Sequence, residues 1–239
     1  MLKRFNLLTM FAIILMFANS CKDEDSSKTV TDIEGNVYHT VTIDTQTWMV
    51  ENLKTTKYND GTSIPLISDS TAWSILATPG YCWYNNDLAN KNINGALYNW
   101  YTVNTNKLAP TGWHVPTDAE WTTLTTYLTN KGYGYGGSGN DIAKSMASTT
   151  GWDLYSTPGT IGNDPASNNR SGFTVIPGGY LIDKGTFEYI GYYGSWWSST
   201  EYNTNFAWDR YVGSNDSIVN RGNDYSKKSG FSVRCLRDY

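Results

Sequence analysis

Apolar residues in this chain recur at two spacings, and the spacings divide it. Over residues 118–130, Trp121, Leu124 and Leu128 stand three and four apart, so they line one face of a helix. Thr117 precedes that stripe, with Glu120 three residues after it. This is the pattern of a capping box, in which the Thr hydroxyl accepts from the Glu120 backbone N–H and the Glu carboxylate accepts from that of Thr117. Asp118 adds negative charge where the helix dipole favours it, and Lys131-Gly132 ends the run. Elsewhere the spacing is two. Val37-Tyr38-His39-Thr40-Val41-Thr42-Ile43 alternates between turn residues, which predicts a strand with Val37, His39, Val41 and Ile43 on its inner face. Residues 48–53 read as the return strand, and 54–80, with Gly61, Pro65, Pro79 and Gly80, as irregular chain. A short helix is expected over 95–101 with Leu97, Trp100 and Tyr101 inward, and a helical turn or two over 141–147. Strands are expected at 171–180, 186–190, 195–198, 206–212, 217–219 and 230–237, the last with Phe231, Val233 and Cys235 on one face. The pattern predicts an α+β domain of two or three helices packed on a curled antiparallel sheet with long loops.

One apolar run belongs to neither spacing. Met1-Leu2-Lys3-Arg4 leads into apolar residues over 7–18, a basic start and about a dozen apolar positions, as in a secretory signal peptide. A membrane span needs roughly 20. Ala18-Asn19-Ser20-Cys21 resembles a bacterial lipoprotein cleavage site, with Cys21 as the acylated first residue, although Asn19 is a looser choice than the usual small residue. Residues 21–28 are a polar, acidic tether; a Lys followed by acids at this point also resembles the surface-export signal of Bacteroidetes lipoproteins. The chain is therefore expected to be a signal peptide over 1–20, a tether over 21–28 and one folded domain over 29–239. It would be held to the lipid bilayer by Cys21, at the outer membrane and facing outward. Loss of residues 1–20 removes Lys3 and Arg4 and no acid, leaving 16 basic and 22 acidic residues and a net charge of −6. Such a chain lacks the basic surplus that phosphate neutralisation requires, which argues against a nucleic-acid partner.

Chemistry-bearing residues are few. The chain has three Cys. With Cys21 acylated, Cys82 and Cys235 are the candidates for one disulfide in an exported protein, worth about 4–5 kcal/mol through the unfolded state; two buried thiols are the alternative. Of the two His, His39 reads as a core residue of its strand, and His114 as a backbone hydrogen-bonding group at the helix start. Neither has metal-ligand spacing. Gly132, Gly134 and Gly137 fit a loose G-x-G-x-x-G pattern but follow a helix where a nucleotide site needs a strand. Asn85-Asn86-Asp87, Asn163-Asp164 and Asn223-Asp224 are oxygen-rich, yet calcium needs six to eight converging oxygens, and surface turns explain them better. No metal or cofactor is expected.

Six motifs in order carry a family resemblance: Gln46-Thr47-Trp48-Met49-Val50-Glu51-Asn52-Leu53, Gly95-Ala96-Leu97-Tyr98-Asn99-Trp100, Gly112-Trp113-His114-Val115-Pro116-Thr117-Asp118-Ala119-Glu120-Trp121, Pro177-Gly178-Gly179-Tyr180, Trp196-Trp197-Ser198-Ser199-Thr200-Glu201 and Gly230-Phe231-Ser232-Val233-Arg234-Cys235. Together they resemble the Fibrobacter succinogenes major paralogous domain. The resemblance implies a fold similar to the C-type-lectin-like fold of formylglycine-generating enzymes; the family brings no established biochemical function. Many relatives carry a Cys where this chain has Ala109. If that Cys pairs with the one in the last strand, Cys235 has lost its usual partner and Cys82 is the candidate that remains. Formylglycine-generating chemistry depends on a reactive Cys pair, which disfavours that activity here. The calcium-loop motifs of sugar-binding C-type lectins are also missing.

What remains is aromatic, with ten Trp and 18 Tyr. Flat rings suit sugar stacking and protein interfaces. Trp48, Trp100, Trp113, Trp121, Trp196 and Trp197 lie in the shared motifs and are expected in the core. Trp83, Tyr133, Tyr135, Trp152, Tyr192, Tyr193, Tyr202 and Trp208 are the candidate ligand contacts, with Trp73 and Tyr155 beside them. The expected function is non-enzymatic binding or adhesion to an extracellular glycan or protein. An enzyme on the sulfatase-modifying scaffold and a purely structural coat component are the alternatives.

Overall fold

Three short strands open the described chain, which in this computed structural model covers residues 28–239. The signal peptide, Cys21 and all of the tether except Lys28 lie outside the described residues. The strands β1 (Thr29–Thr31), β2 (Val37–Ile43) and β3 (Gln46–Met49) form an antiparallel meander. An irregular stretch follows, holding α1 (Ser70–Ser74), β4 (Tyr81–Cys82), α2 (Lys91–Asn94), β5 (Leu97–Tyr98), α3 (Trp100–Val103) and β6 (Trp113–His114). The long helix α4 (Asp118–Asn130) and the single turn α5 (Ala143–Met146) come next. The last third contributes β7 (Gly178–Leu181), β8 (Phe187–Ile190), β9 (Tyr193–Glu201), β10 (Ala207–Gly213), β11 (Asn220–Gly222) and β12 (Leu236–Arg237). Two five-stranded sheets result, ordered β1-β2-β3-β12-β6 and β11-β10-β9-β7-β8, and β4 pairs with β5. Pairing is antiparallel except between β7 and β9. The fold is mixed α+β, mostly curled antiparallel sheet with few helices. Among the described residues no helix is long and apolar enough to cross a membrane.

The closing segment holds the sheets together. Gly230 bridges Leu181, Phe231 bridges Tyr98 and Ser232 bridges Trp196. The N–H groups of Leu53 and Met49 donate to the carbonyls of Val233 and Cys235, and β12 then lies between β3 and β6. Phe231, Val233 and Cys235 are buried as their alternation predicts, but Ser232 and Arg234 are buried too, because elements cover both faces. The Arg234 guanidinium donates to the carbonyls of Phe173 and Thr174 and to Asn52, and it packs 4.7 Å from the Phe173 ring centre. Around this seam lie two cores. One contains Tyr38, Trp83, Tyr98, Trp100, Trp197 and Phe231, with Trp197 stacked on Phe231 at 4.4 Å. The other contains Trp48, Trp121, Phe173 and the rest of the α4 stripe, Leu124 and Leu128.

The α4 capping box forms as its sequence predicts: Glu120 N–H donates to Thr117 Oγ1 (3.2 Å) and Thr117 N–H to Glu120 Oε2 (2.7 Å). Other expectations are corrected. On β2 the buried residues are Tyr38 and Ile43: Ile43 lies on the expected face, but Val37 is 47% exposed, His39 is exposed and Tyr38 is buried from the opposite face. The Tyr38 hydroxyl donates to Asp32 (2.7 Å) and accepts from the Lys54 N–H (3.1 Å), so a large ring is buried with its polar tip satisfied. The helix expected over 95–101 starts only at Trp100, because Asn99 is its N-cap, accepting from the Thr102 N–H at 3.1 Å. The strand expected over 171–180 begins at Gly178; upstream, Thr174 takes φ 58° and leaves extended geometry. Residues 217–219 are not a strand, and β11 begins just after them. The expected disulfide is absent. Cys82 and Cys235 are buried free thiols in separate clusters, one with Trp73, Leu97 and Leu181, the other with Val233 and Trp197.

Candidate functional site

Sequence-chosen aromatics scatter once the chain folds. Trp83 and Trp152 are buried at 5% and 6% exposure and are not surface contacts. Trp83 packs edge-on against Tyr81, and Trp152 donates to Ser148 at 3.0 Å. Trp73 is buried as well, its indole donating to the Lys228 carbonyl. Tyr133 lies under the Arg170 guanidinium, and Tyr135 shields Gly159. Tyr202 meets Trp208 edge-on at 5.0 Å, while Arg221 covers the Trp208 face at 3.5 Å. That guanidinium is anchored on Asp118, which also takes Arg210 at 2.7 Å. Burial would raise the Asp118 carboxyl, but the hydrogen bonds from both arginines hold it below its ordinary value.

Tyr192 and Tyr193 go elsewhere, into a cluster of tyrosines on the second sheet. Strand alternation puts Tyr180 of β7, Tyr189 of β8, Tyr193 and Ser195 of β9 and Tyr211 of β10 around one cavity, closed by Asp224 and Tyr225. Its volume is about 240 Å³. Tyr180 is the hub: its ring centre is 5.8 Å from Tyr189, 6.3 Å from Tyr193 and 5.5 Å from Tyr225, and its hydroxyl shares a 3.1 Å hydrogen bond with that of Tyr225. Tyr193 extends the row to Tyr192 at 4.8 Å and Tyr211 at 6.2 Å. Tyr189 is 51% exposed and takes φ 61°, a left-handed conformation that a bulky residue adopts at a cost. Gly179 makes the close approach of β8 feasible, since a Cβ there would sit 2.6 Å from the Glu188 carbonyl and the Tyr84 ring. Burial raises the hydroxyls of Tyr180, Tyr193, Tyr211 and Tyr225 above their ordinary range, so they stay neutral donors.

Behind the cavity wall lies a carboxylate in an unfavourable place. Tyr211 pairs with Ser195 across β10 and β9, and the next row of the same face is Asp209 opposite Trp197 and, on β11, opposite Gly222. Asp209 is fully buried, and neither of its carboxylate oxygens has a hydrogen-bond partner. It lies over the space that Gly222 leaves, where a Cβ would be 2.5 Å from Oδ1. Burial, and then the charge of Asp224, push its carboxyl up to about 8. Sequence reading missed Tyr180, Tyr189, Tyr211, Tyr225 and Asp209 as site residues. Tyr180 was visible as the end of a motif and Asp224 as part of an oxygen-rich pair, but nothing local signals that they meet.

The histidines take other roles. His39 Nδ1 lies 2.6 Å from Glu51 at the surface. His114 does not bond backbone, as was expected; its ring bridges Asp238 (2.7 Å) and Glu120 (2.9 Å). The hydrogen bond to Glu120 is the chief cause that raises its pKa, and both ring nitrogens face carboxylate oxygens. Burial is the chief cause that raises both Cys82 and Cys235 above the ordinary thiol value, the reverse of an activated thiol. Among the described residues no group of three or more His, Cys, Asp or Glu stands where it could hold a metal ion.

The family model of the Fibrobacter succinogenes major domain matches residues 41–237, most of the folded chain. The chain belongs to the Fibrobacter succinogenes major domain family. No curated protein and no solved structure matches it. Within the Fibrobacter succinogenes major domain the quoted motifs supply frame: Trp48, Trp121, Trp196 and Trp197 are core, and Arg234 clamps the seam. The tyrosine cavity is assembled mainly between motifs, from β8, β10 and the turn after β11.

Proposed function

We propose that this chain is a lipid-anchored surface protein whose folded domain, of C-type-lectin-like type, binds an extracellular glycan without catalysing a reaction on it. The observation that carries the reading is the cavity walled by Tyr180, Tyr189, Tyr193, Tyr211 and Tyr225 with Ser195 and Asp224. Ring faces suit the apolar faces of sugar rings, and hydroxyl and carboxylate groups suit sugar hydroxyls. The buried, unactivated thiols and the doubly engaged His114 support a non-enzymatic role. The leader over 1–20 and Cys21 support export and acylation, with the acidic tether presenting the domain outside the outer membrane.

A glycan array probed with the full chain tests the binding reading. We expect a defined set of oligosaccharides to be retained, and Tyr189→Ala or Tyr211→Ala to weaken retention about fivefold to tenfold through loss of one ring contact. An array with no retained sugar, or binding indifferent to both substitutions, overturns it. Labelling with a radioactive fatty acid tests the anchor: incorporation should vanish in Cys21→Ser.

A further inference from the structure

We infer that the tyrosine cavity selects the ammonium group of an amino sugar, a specificity that rests on the glycan-binding reading of the same site. Five tyrosines line a space of about 240 Å³, and tyrosine offers a cation both a hydroxyl oxygen and a ring whose face is the negative end of its quadrupole. Asp224 stands in the wall, and no Lys or Arg lines the cavity. Asp209 follows one row behind, fully buried, with both oxygens unpartnered. A buried carboxyl group without a hydrogen-bond partner is costly and needs an explanation.

The two arginines nearest to Asp209 along β10 and β11 are engaged on the other face of the sheet. Arg210 alternates with Asp209 along β10 and is spent on Asp118, and Arg221 is divided between Asp118 and the face of Trp208. Gly222 lets the Asp209 carboxylate lean toward β11, the strand that leads into Asp224 and Tyr225. Tyrosines, the Asp224 carboxylate in the wall and the Asp209 carboxyl behind it make an acidic site that no Lys or Arg lines, with Arg210 on the far face of the strand as the cation that acts on Asp209. A neutral sugar would use the tyrosines and leave Asp224 without a cation. A sugar bearing a primary ammonium uses both, and its charge would offset the repulsion between Asp209 and Asp224 that, after burial, raises the Asp209 carboxyl.

The test is calorimetric titration of the full chain with a β-linked glucosamine oligomer, its N-acetylated counterpart and a glucose oligomer of equal length. The glucosamine oligomer should bind about tenfold tighter than either neutral one. Asp224→Asn and the isosteric Asp209→Asn should each remove most of that preference, with an unchanged circular dichroism spectrum confirming that the variants fold. Equal affinity for the three oligomers overturns this inference and leaves the glycan reading standing. Binding of none overturns both. A preference that survives intact in Asp209→Asn and Asp224→Asn overturns the assignment to these carboxylates.

Discussion

The carboxyl of Asp209 sits in the sheet with neither oxygen hydrogen-bonded, and its titration should be visible in the stability of the whole domain. Burial raises it from an ordinary value of 3.8 to about 8. Between those values the folded chain keeps a proton that the unfolded chain has lost, so stability falls as pH rises through that window. His114 acts in the same direction. Its pKa is raised above 6.5, chiefly by Glu120, so its contribution is complete below that value and is lost as pH rises through the folded one. Glu120 opposes from the acid side: despite burial, the hydrogen bonds from His114 and Thr117 hold it at about 2, so its stabilisation appears above its ordinary value and fades only in strong acid. Substituting Asp209→Asn isolates the first effect. The melting temperature of the wild type should drop between about pH 5 and about pH 8 by more than that of Asp209→Asn. Equal drops in the two proteins would show that Asp209 titrates normally.

At the scale of elements, α4 is the piece most legible in advance. Its cap, its stripe and its two ends follow from neighbours within four residues, and local geometry alone decides them. Thr117→Ala should cost about 1 kcal/mol in denaturant unfolding. Trp121 is 1% exposed and touches Trp48 at 4.8 Å and Phe173 at 5.8 Å, so Trp121→Ala should cost about 3–5 kcal/mol. Its indole N–H has no partner, and Trp121→Phe, which removes that donor and keeps most of the ring, should cost far less. Near-neutral Trp121→Ala would break the packing assignment. The strands were less legible. β2 keeps Ile43 in the core with Val41 packed against it, as its alternation implies, but at its start buries Tyr38 from the other face, because Asp32 six residues upstream satisfies the Tyr38 hydroxyl. The short β5–Asn99–α3 succession hides inside what reads as one helix.

At the scale of the molecule, the closing segment joins three sheets, and its removal should be felt everywhere. A chain ending at Ser229 loses the bridges to Leu181, Tyr98 and Trp196 and the β12 ladder. It should show no cooperative thermal transition by near-ultraviolet circular dichroism; a sharp transition near that of the full chain would mean that the seam is dispensable. The sequence by itself determined the family, the α+β class, the capped helix and the burial of five of the six motif tryptophans (Trp113 is half-buried), because these depend on local spacing and on ring size. Tertiary structure alone decided that Cys82 and Cys235 stay apart, that Trp83 and Trp152 are buried, and that tyrosines from four strands and a turn converge beside Asp209. Those outcomes depend on strand order and register, which bring residues as far apart as Tyr180 and Tyr225 within one hydrogen bond of each other, and no local pattern of apolar and polar positions encodes them.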